Sequence, residues 1–401
     1  MTKPDAALQL KKGREKPVLN RHPWIFSGAV QRLQGMPEPG DLVDIFSSKG
    51  EWLGRAYYNP HSQIRARILS WDENEAIDDD FWRGRIERAV NGRNALQLEP
   101  ATTAYRLVNA ESDGLPGLVV DKYGDYLVIQ CLTLGIDRRK EMLIDLLEGL
   151  LQPAGIIERS DVSVRGKEGL MEIAAVHRGK RPSDELTVLE NNHQFAVNLL
   201  EGHKTGLYLD QRDNRTAVCR PEFVAGKTVL NLFSYTGGFA IYAAAAGAGA
   251  ITNVDSSADL LVMAEKNIAL NRQERPQDEY IAADAFQLLR HYRDTSRRFD
   301  VIILDPPKFA HSQRDVQAAC RGYKDLNWLA MRLLNPGGLL ATFSCSGLVS
   351  ADLFQKVLFG AAVDAGREVQ AIRFLTQSAD HPVLLTFPES AYLKGFVCRV
   401  W

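Results

Sequence analysis

From Gly40 to Trp71 apolar and polar residues alternate, in GDLVDIFSSKGEWLGRAYYNPHSQIRARILSW, with Lys49-Gly50 and Asn59-Pro60 as turn signals. A period of two predicts short half-buried strands, so residues 1–75 are expected to form a small β-barrel-like module. The acidic run DENEAIDDD, Asp72 to Asp80, reads as its boundary. The period then lengthens. Phe81, Trp82, Ile86, Ala89 and Val90 recur at helical spacing, with four arginines largely on the other face. ESDGLPGLVVDKYGDYLVIQCL follows as a hairpin punctuated by Asp113-Gly114 and Tyr123-Gly124-Asp125, and DRRKEMLIDLLEGLL as a second amphipathic helix. Residues 76–188 therefore read as a central α+β domain.

In the third region, 189–401, the rhythm becomes strand, loop, helix, repeated. KTVLNLF precedes SYTGG and FAIYAAAAGA; ITNVD precedes SSADLLVMAEKNIALN; EYIAAD precedes AFQLLRHYR; FDVIILD precedes PPKF; GGLLATFSC follows LNWLAMRLLNPGG. Alternation of this length predicts an α/β domain with a parallel, doubly wound, Rossmann-like sheet. Such sheets bind ligands beyond the carboxyl ends of their strands, so the polar residues found there are the candidates for chemistry.

Composition changes this picture only in part. The chain has 401 residues, 45% hydrophobic and 24% charged, as an ordinary multidomain globular protein has. No segment reaches the roughly 18 uninterrupted apolar residues of a membrane helix, and MTKPDAALQLKKGREK lacks a signal-peptide core. A cytoplasmic protein without a membrane partner is expected. The five cysteines are scattered and form no C-x-x-C pair, which argues against a disulfide framework and against a metal site. The net charge of −2 divides unevenly: residues 1–71 carry 11 Lys/Arg against 6 Asp/Glu, or +5, leaving −7 elsewhere. A basic amino-terminal module is compatible with a polyanionic partner, and equally with ordinary solvated surface.

The strand ends supply the chemistry. The first ends at Asn231, Leu232 and Phe233, before the loop Ser234-Tyr235-Thr236-Gly237-Gly238. Glycine permits close backbone approach, and the following helix offers N–H groups to an anion. The pattern is not G-x-G-x-x-G, which weakens a nicotinamide or flavin reading. The second strand ends in Asp255, placed either to accept hydrogen bonds from a ribose diol or to cap the next helix. Asp284, followed by Ala285, ends the third, either near an adenine amino group or again as a cap. The fourth ends in Asp305-Pro306-Pro307-Lys308-Phe309. Two prolines cannot continue a central strand; they form a rigid turn whose carbonyls could hold an exocyclic amine, and Phe309 could stack on an extruded base. The fifth ends in Cys345, between two serines and before a glycine. Such a cysteine is either a buried filler or a nucleophile at the mouth of a site. Cys131, Cys219 and Cys398 read as core; Cys320, 13 residues after Pro307, is a weaker candidate.

Taken together, NLFSYTGGF, Asp255, Asp284, LDPPKF and FSCSG resemble a class I S-adenosylmethionine-dependent methyltransferase. More narrowly they resemble the large-subunit ribosomal RNA (cytosine-5) methyltransferase I family. The resemblance spans the chain. KKGREKPVLNRHPWIFSGAV through RARILSW is similar to that family's amino-terminal PUA domain, and SDGLPGLVVDKYGDYLVIQ and ERSDVSVRGKEGL to its central domain. KTGLYLDQRDNR is similar to the stretch before the first cofactor motif, which implies that Asp210, Gln211 and Arg212 lie near the cofactor. ACRGYKDLN also matches, without roles for its residues. The resemblance implies S-adenosylmethionine as methyl donor, S-adenosylhomocysteine as product, and 23S ribosomal RNA, naked or in an assembling subunit, as partner. It implies cofactor contacts from Gln211, Arg212, Asn231, Phe233, Ser234, Tyr235, Thr236, Gly237, Asp255, Asp284, Ala285 and Asp305, and catalysis by Cys345 with Asp305 and Pro306. Related enzymes acting on a guanine nitrogen carry Asn where Cys345 stands. An RNA N-methyltransferase and a non-catalytic RNA-binding factor are the rival readings; a homodimer is possible on either.

Overall fold

The computed structural model describes residues 4–202 and 205–401. Met1–Lys3 of the amino-terminal polar stretch, and Lys204 at the head of KTGLYLDQRDNR, lie outside the described residues. The chain forms two compact units: residues 1–191, 197–209 and 380–390 in one, and 192–196, 210–379 and 391–401 in the other.

In the first unit, the alternating amino-terminal segment forms a six-stranded sheet. Its strands run, in spatial order, Trp24–Phe26, Ile64–Ser70, Trp52–Tyr58, Leu42–Phe46, Ala7–Leu10 and Val30–Gln34. Leu8, Leu10, Ile25, Val43, Ile45, Ala56 and Ile68 fill its core. The acidic run is not wholly linker: Asp78 caps a helix, Asp79–Asn94, by accepting from the Phe81 N–H. Negative side chains stabilise that helix end. The predicted hairpin is present as Leu118–Tyr123 and Tyr126–Cys131, inside a five-stranded sheet. A buried carboxylate ties the two sheets together. Glu168 accepts from Arg67 at 2.8 and 3.1 Å, from Asn59 at 2.8 Å and from Ser62 at 2.6 Å. A buried charge is tolerable only with this degree of pairing. Residues 380–390 return to this unit, where Asp380 accepts from the Arg106 N–H at 2.8 Å and Phe387 packs on Trp24. Linear division of the sequence did not include that excursion.

The main sheet of the second unit has seven strands: β1 (Thr228–Leu232), β2 (Ala250–Asp255), β3 (Glu279–Ala282), β4 (Phe299–Leu304), β5 (Leu334–Ser344), β6 (Val369–Thr376) and β7 (Lys394–Val400). Their order is β3-β2-β1-β4-β5-β7-β6. β1 to β5 are parallel, as the alternating rhythm predicts, whereas β7 runs antiparallel to both of its neighbours. The start of β7 therefore lies at the edge where β1 to β5 end. Lys394 stands in register with Ser344. Chain order reverses at β1 and β4, the switch point where this architecture opens a ligand crevice. Helix Val316–Leu333 closes one face by burying Ala319, Tyr323, Leu326, Ala330 and Leu333 at helical spacing. Among the described residues, no helix is long and apolar enough to cross a membrane.

Candidate active site

On one side of the switch point the strand ends are joined by main-chain hydrogen bonds. The Ser234 N–H donates to Val254 O at 3.0 Å, and the Ala283 N–H to Asp255 O at 3.0 Å. The loop after β1 turns sharply, with Phe233 at φ 59°, Tyr235 at φ 50° and Gly237 at φ 82°. Left-handed backbone at two non-glycine residues costs energy and clusters at functional sites. Gly237 is required for a further reason: a Cβ there would meet Ala264 Cβ at 3.0 Å. The Asp255 carboxylate accepts from the Tyr235 N–H at 3.0 Å and the Ser257 N–H at 3.1 Å, one bond to each oxygen. It is not the cap of the next helix; Ser257 is. Asp284, by contrast, does cap its helix, accepting from the Gln287 N–H at 2.9 Å, and Ala285 is the first helical residue.

Other predicted residues surround this edge less directly. Asn231 lies in the sheet, its amide donating to Asn253 at 3.0 Å with both side chains buried. Gln211 accepts from Asn214 at 2.6 Å, and Arg212 pairs with Asp213 at 3.1 Å, both beneath the surface. Asp210 accepts from the Tyr392 hydroxyl at 2.6 Å, which fastens the 210–213 turn to the segment entering β7.

On the other side, side chains make the joints. Cys345 is half-buried, while Cys131, Cys219 and Cys398 are buried. Burial pushes those three thiols up, Cys398 to about 12, which leaves them inert. Cys320 is half-buried in helix Val316–Leu333, with its thiol also raised by burial and its side chain packed on the core. Ser346, next to Cys345, bonds in two directions. Its Oγ accepts from the Ala310 N–H at 3.3 Å and lies 3.0 Å from the buried Tyr323 hydroxyl. The loop carrying Cys345 is thereby tied to the segment following the Asp305-Pro306-Pro307 turn. Pro306 is buried and Pro307 exposed. Phe309, offered by the sequence to an extruded base, is half-buried, and its ring meets that of Tyr323 at 4.7 Å between centroids.

Comparison with known proteins decides the family. Residues 8–71 match the PUA-like domain, and residues 171–399 the S-adenosylmethionine-dependent methyltransferase domain. The chain is 50% identical over 395 residues to the ribosomal RNA large subunit methyltransferase I of Shewanella denitrificans, covering 98% of this chain and 99% of that one. To its counterparts in Shewanella amazonensis and Aliivibrio fischeri it is 51% and 49% identical, at the same coverage. The chain belongs to the ribosomal RNA large subunit methyltransferase I family. Solved structures agree on the fold: SMU.776, provisionally named a methyltransferase and solved with S-adenosylhomocysteine, aligns with TM-score 0.86 at 23% identity over 98% of this chain and 99% of its own.

The methyltransferase's own residues fit that cofactor. Ser234 Oγ is buried without a hydrogen-bond partner beside the strained loop, and each Asp255 oxygen keeps acceptor capacity beyond its one backbone bond. Sequence reasoning missed three residues of the cysteine side: Tyr323, Ser346 and Lys394. Tyr323 lies within ACRGYKDLN, to which no roles attached. Lys394 could have been found as a lone lysine within the apolar run YLKGFV, a pattern in which burial demands a reason.

Proposed function

We propose that this methyltransferase modifies C5 of a cytosine in large-subunit ribosomal RNA through a covalent bond between Cys345 Sγ and C6 of the base. The observation that carries the reading is the setting of Cys345. It is half-exposed at the carboxyl end of β5, beside β4, in a loop tied through Ser346 to the segment after the two prolines.

C5 of cytosine is a weak nucleophile. Addition of the Cys345 thiolate to C6 moves electron density onto C5 and divides one hard step into easier ones. S-adenosylmethionine, when bound, supplies an electrophilic methyl group. Once C5 carries that group, loss of the C5 proton to a base and departure of the thiolate restore the aromatic ring. Asp305 and Pro306, at the head of the turn after β4, would hold the exocyclic amine. Phe233, Ser234, Tyr235, Thr236 and Gly237 would surround the cofactor, with Asp255 on the ribose diol, Asp284 and Ala285 toward the base, and Gln211, Arg212 and Asn231 supporting the pocket. Ribosomal RNA as substrate rests on the printed names of the full-length relatives and on the PUA-like match. Exposed Lys11, Lys12, Arg14, Lys16 and Arg21 support it from the amino-terminal module, where Arg14 and Lys16 line a groove of about 620 Å³ that also presents Trp24 and Phe26. Basic side chains with interleaved aromatics suit a phosphate backbone and its bases. The site of action would be the cytoplasm.

Incubation with ribosomal RNA containing 5-fluorocytosine tests the chemistry. Fluorine at C5 cannot leave as a proton does, so a protein–RNA adduct bonded to Cys345 should accumulate. An N-methyltransferase would turn over without an adduct. A non-catalytic factor would bind without transferring methyl.

A further inference from the structure

Lys394 is the first residue of β7, opposite Ser344, and its side chain is buried at 7% exposure. Its ammonium donates to Ser346 O at 2.7 Å and to Val349 O at 2.6 Å, spanning the loop that begins just after Cys345. Among the described residues it forms no ion pair with a carboxylate. A buried ammonium held only by two carbonyls is costly, because neutral dipoles replace its hydration incompletely. Where fastening a loop is the whole requirement, an uncharged donor would serve at lower cost.

The groups acting on this ammonium point to the reason for the charge. Burial is the largest influence and holds Lys394 down to about 8; the Cys345 thiol, once ionised, favours the ammonium, and Lys308 opposes it. Tyr323, whose hydroxyl reaches Ser346 from helix Val316–Leu333, is pushed up first by burial, with hydrogen bonds from the neighbouring serines opposing and the Cys345 charge adding to the rise. The segment of β6 opposite, at Thr376, brings no titratable group. Coupling between two ionising groups is reciprocal: if the thiolate favours the ammonium, the ammonium favours the thiolate by the same free energy.

We propose that Lys394 is a positioning residue for the cysteine, fixing the 345–349 loop through two carbonyls and supplying the positive charge that stabilises the Cys345 thiolate. The inference rests on Cys345 being the nucleophile, and it adds how a thiol at the edge of an apolar sheet becomes reactive. Thiolates are stabilised beside a cation and disfavoured in apolar surroundings. Lys308 is exposed and cannot substitute, since an exposed ammonium is screened by water.

The test is the rate of alkylation of Cys345 by iodoacetamide as a function of pH, read on the full chain by peptide mass spectrometry. In Lys394→Met the midpoint should move up by about one pH unit or more, and Lys394→Arg should restore most of that change. Affinity for S-adenosylhomocysteine, whose proposed contacts do not include Lys394, should be kept and reports that the variant is folded. A midpoint that does not move in folded Lys394→Met overturns the proposal. Should Lys394→Met not fold, nitrogen-detected NMR of the lysine ammonium in Cys345→Ser gives the converse reading. There the Lys394 midpoint should fall below its wild-type value, and an unchanged midpoint overturns the proposal equally. The fluorocytosine adduct separates the two ideas. A shifted midpoint without an adduct leaves the coupling standing and removes the nucleophile; an adduct with an unmoved midpoint does the reverse.

Discussion

Along β1, β2 and β3 the carboxyl edge is held by main-chain bonds between successive loops, whereas along β4, β5 and β7 three side chains, those of Tyr323, Ser346 and Lys394, tie the segments together. Ser234 to Val254, Ala283 to Asp255 and Tyr235 to the Asp255 carboxylate make the first side a continuous set of loops that needs few particular side chains. Ala310, Tyr323, Ser346 and Lys394 make the second, where every joint depends on one hydroxyl or one ammonium. The first side is suited to a ligand of constant shape. The second sets the reactivity of a single atom. It can be altered one side chain at a time.

That contrast gives outcomes of decreasing size. Cys345→Ala should lower methyl transfer by several orders of magnitude, as loss of a nucleophile does, while calorimetry finds S-adenosylhomocysteine binding intact; if both fall together, the two sides are not separable. Gly237→Ala should cost about 1–3 kcal/mol of stability in urea denaturation, since alanine at φ 82° is strained and its Cβ meets Ala264. Asp255→Ala should weaken S-adenosylhomocysteine binding by about 1–3 kcal/mol through lost hydrogen bonds, with the reactivity of Cys345 toward iodoacetamide unchanged. Tyr323→Phe should cost only about 0.5–1.5 kcal/mol of stability, one hydrogen bond to Ser346.

A last outcome is one of pH, comparable in size to the loss expected at Asp255. Burial lowers Lys394 from 10.5 to about 8, so between those values the unfolded chain holds a proton that the folded chain has released. Stability contributed by this group therefore rises with pH across that window. Urea denaturation of the wild type relative to Lys394→Met at pH 8 and pH 10 should show the wild type gaining.

Legibility followed the same division. Glycines in SYTGG, the acids closing successive strands and the two prolines are local signals, because turns, caps and strand ends are made by neighbouring residues. They led to Gly237, Asp255, Asp284 and the 305–309 turn. The capping half of the alternatives at Asp255 and Asp284 parted only with the fold: Asp284 caps a helix, while Asp255 bonds the neighbouring loop and leaves capping to Ser257. The contact of Phe309 with Tyr323 was not legible, since Tyr323 lies 14 residues away on a helix. The antiparallel run of β7 has no local signature either, since direction within a sheet is a property of pairing.

The sequence by itself determined the α/β rhythm, the strand ends that bear chemistry, and Cys345 as the cysteine to watch, since period and turn chemistry act over a few residues. Only the tertiary structure decided that Ala310, Tyr323, Ser346 and Lys394 meet around that cysteine. They are as much as 84 positions apart, and hydrogen bonds and charge act over ångströms of space, which chain order does not encode until the sheet has paired.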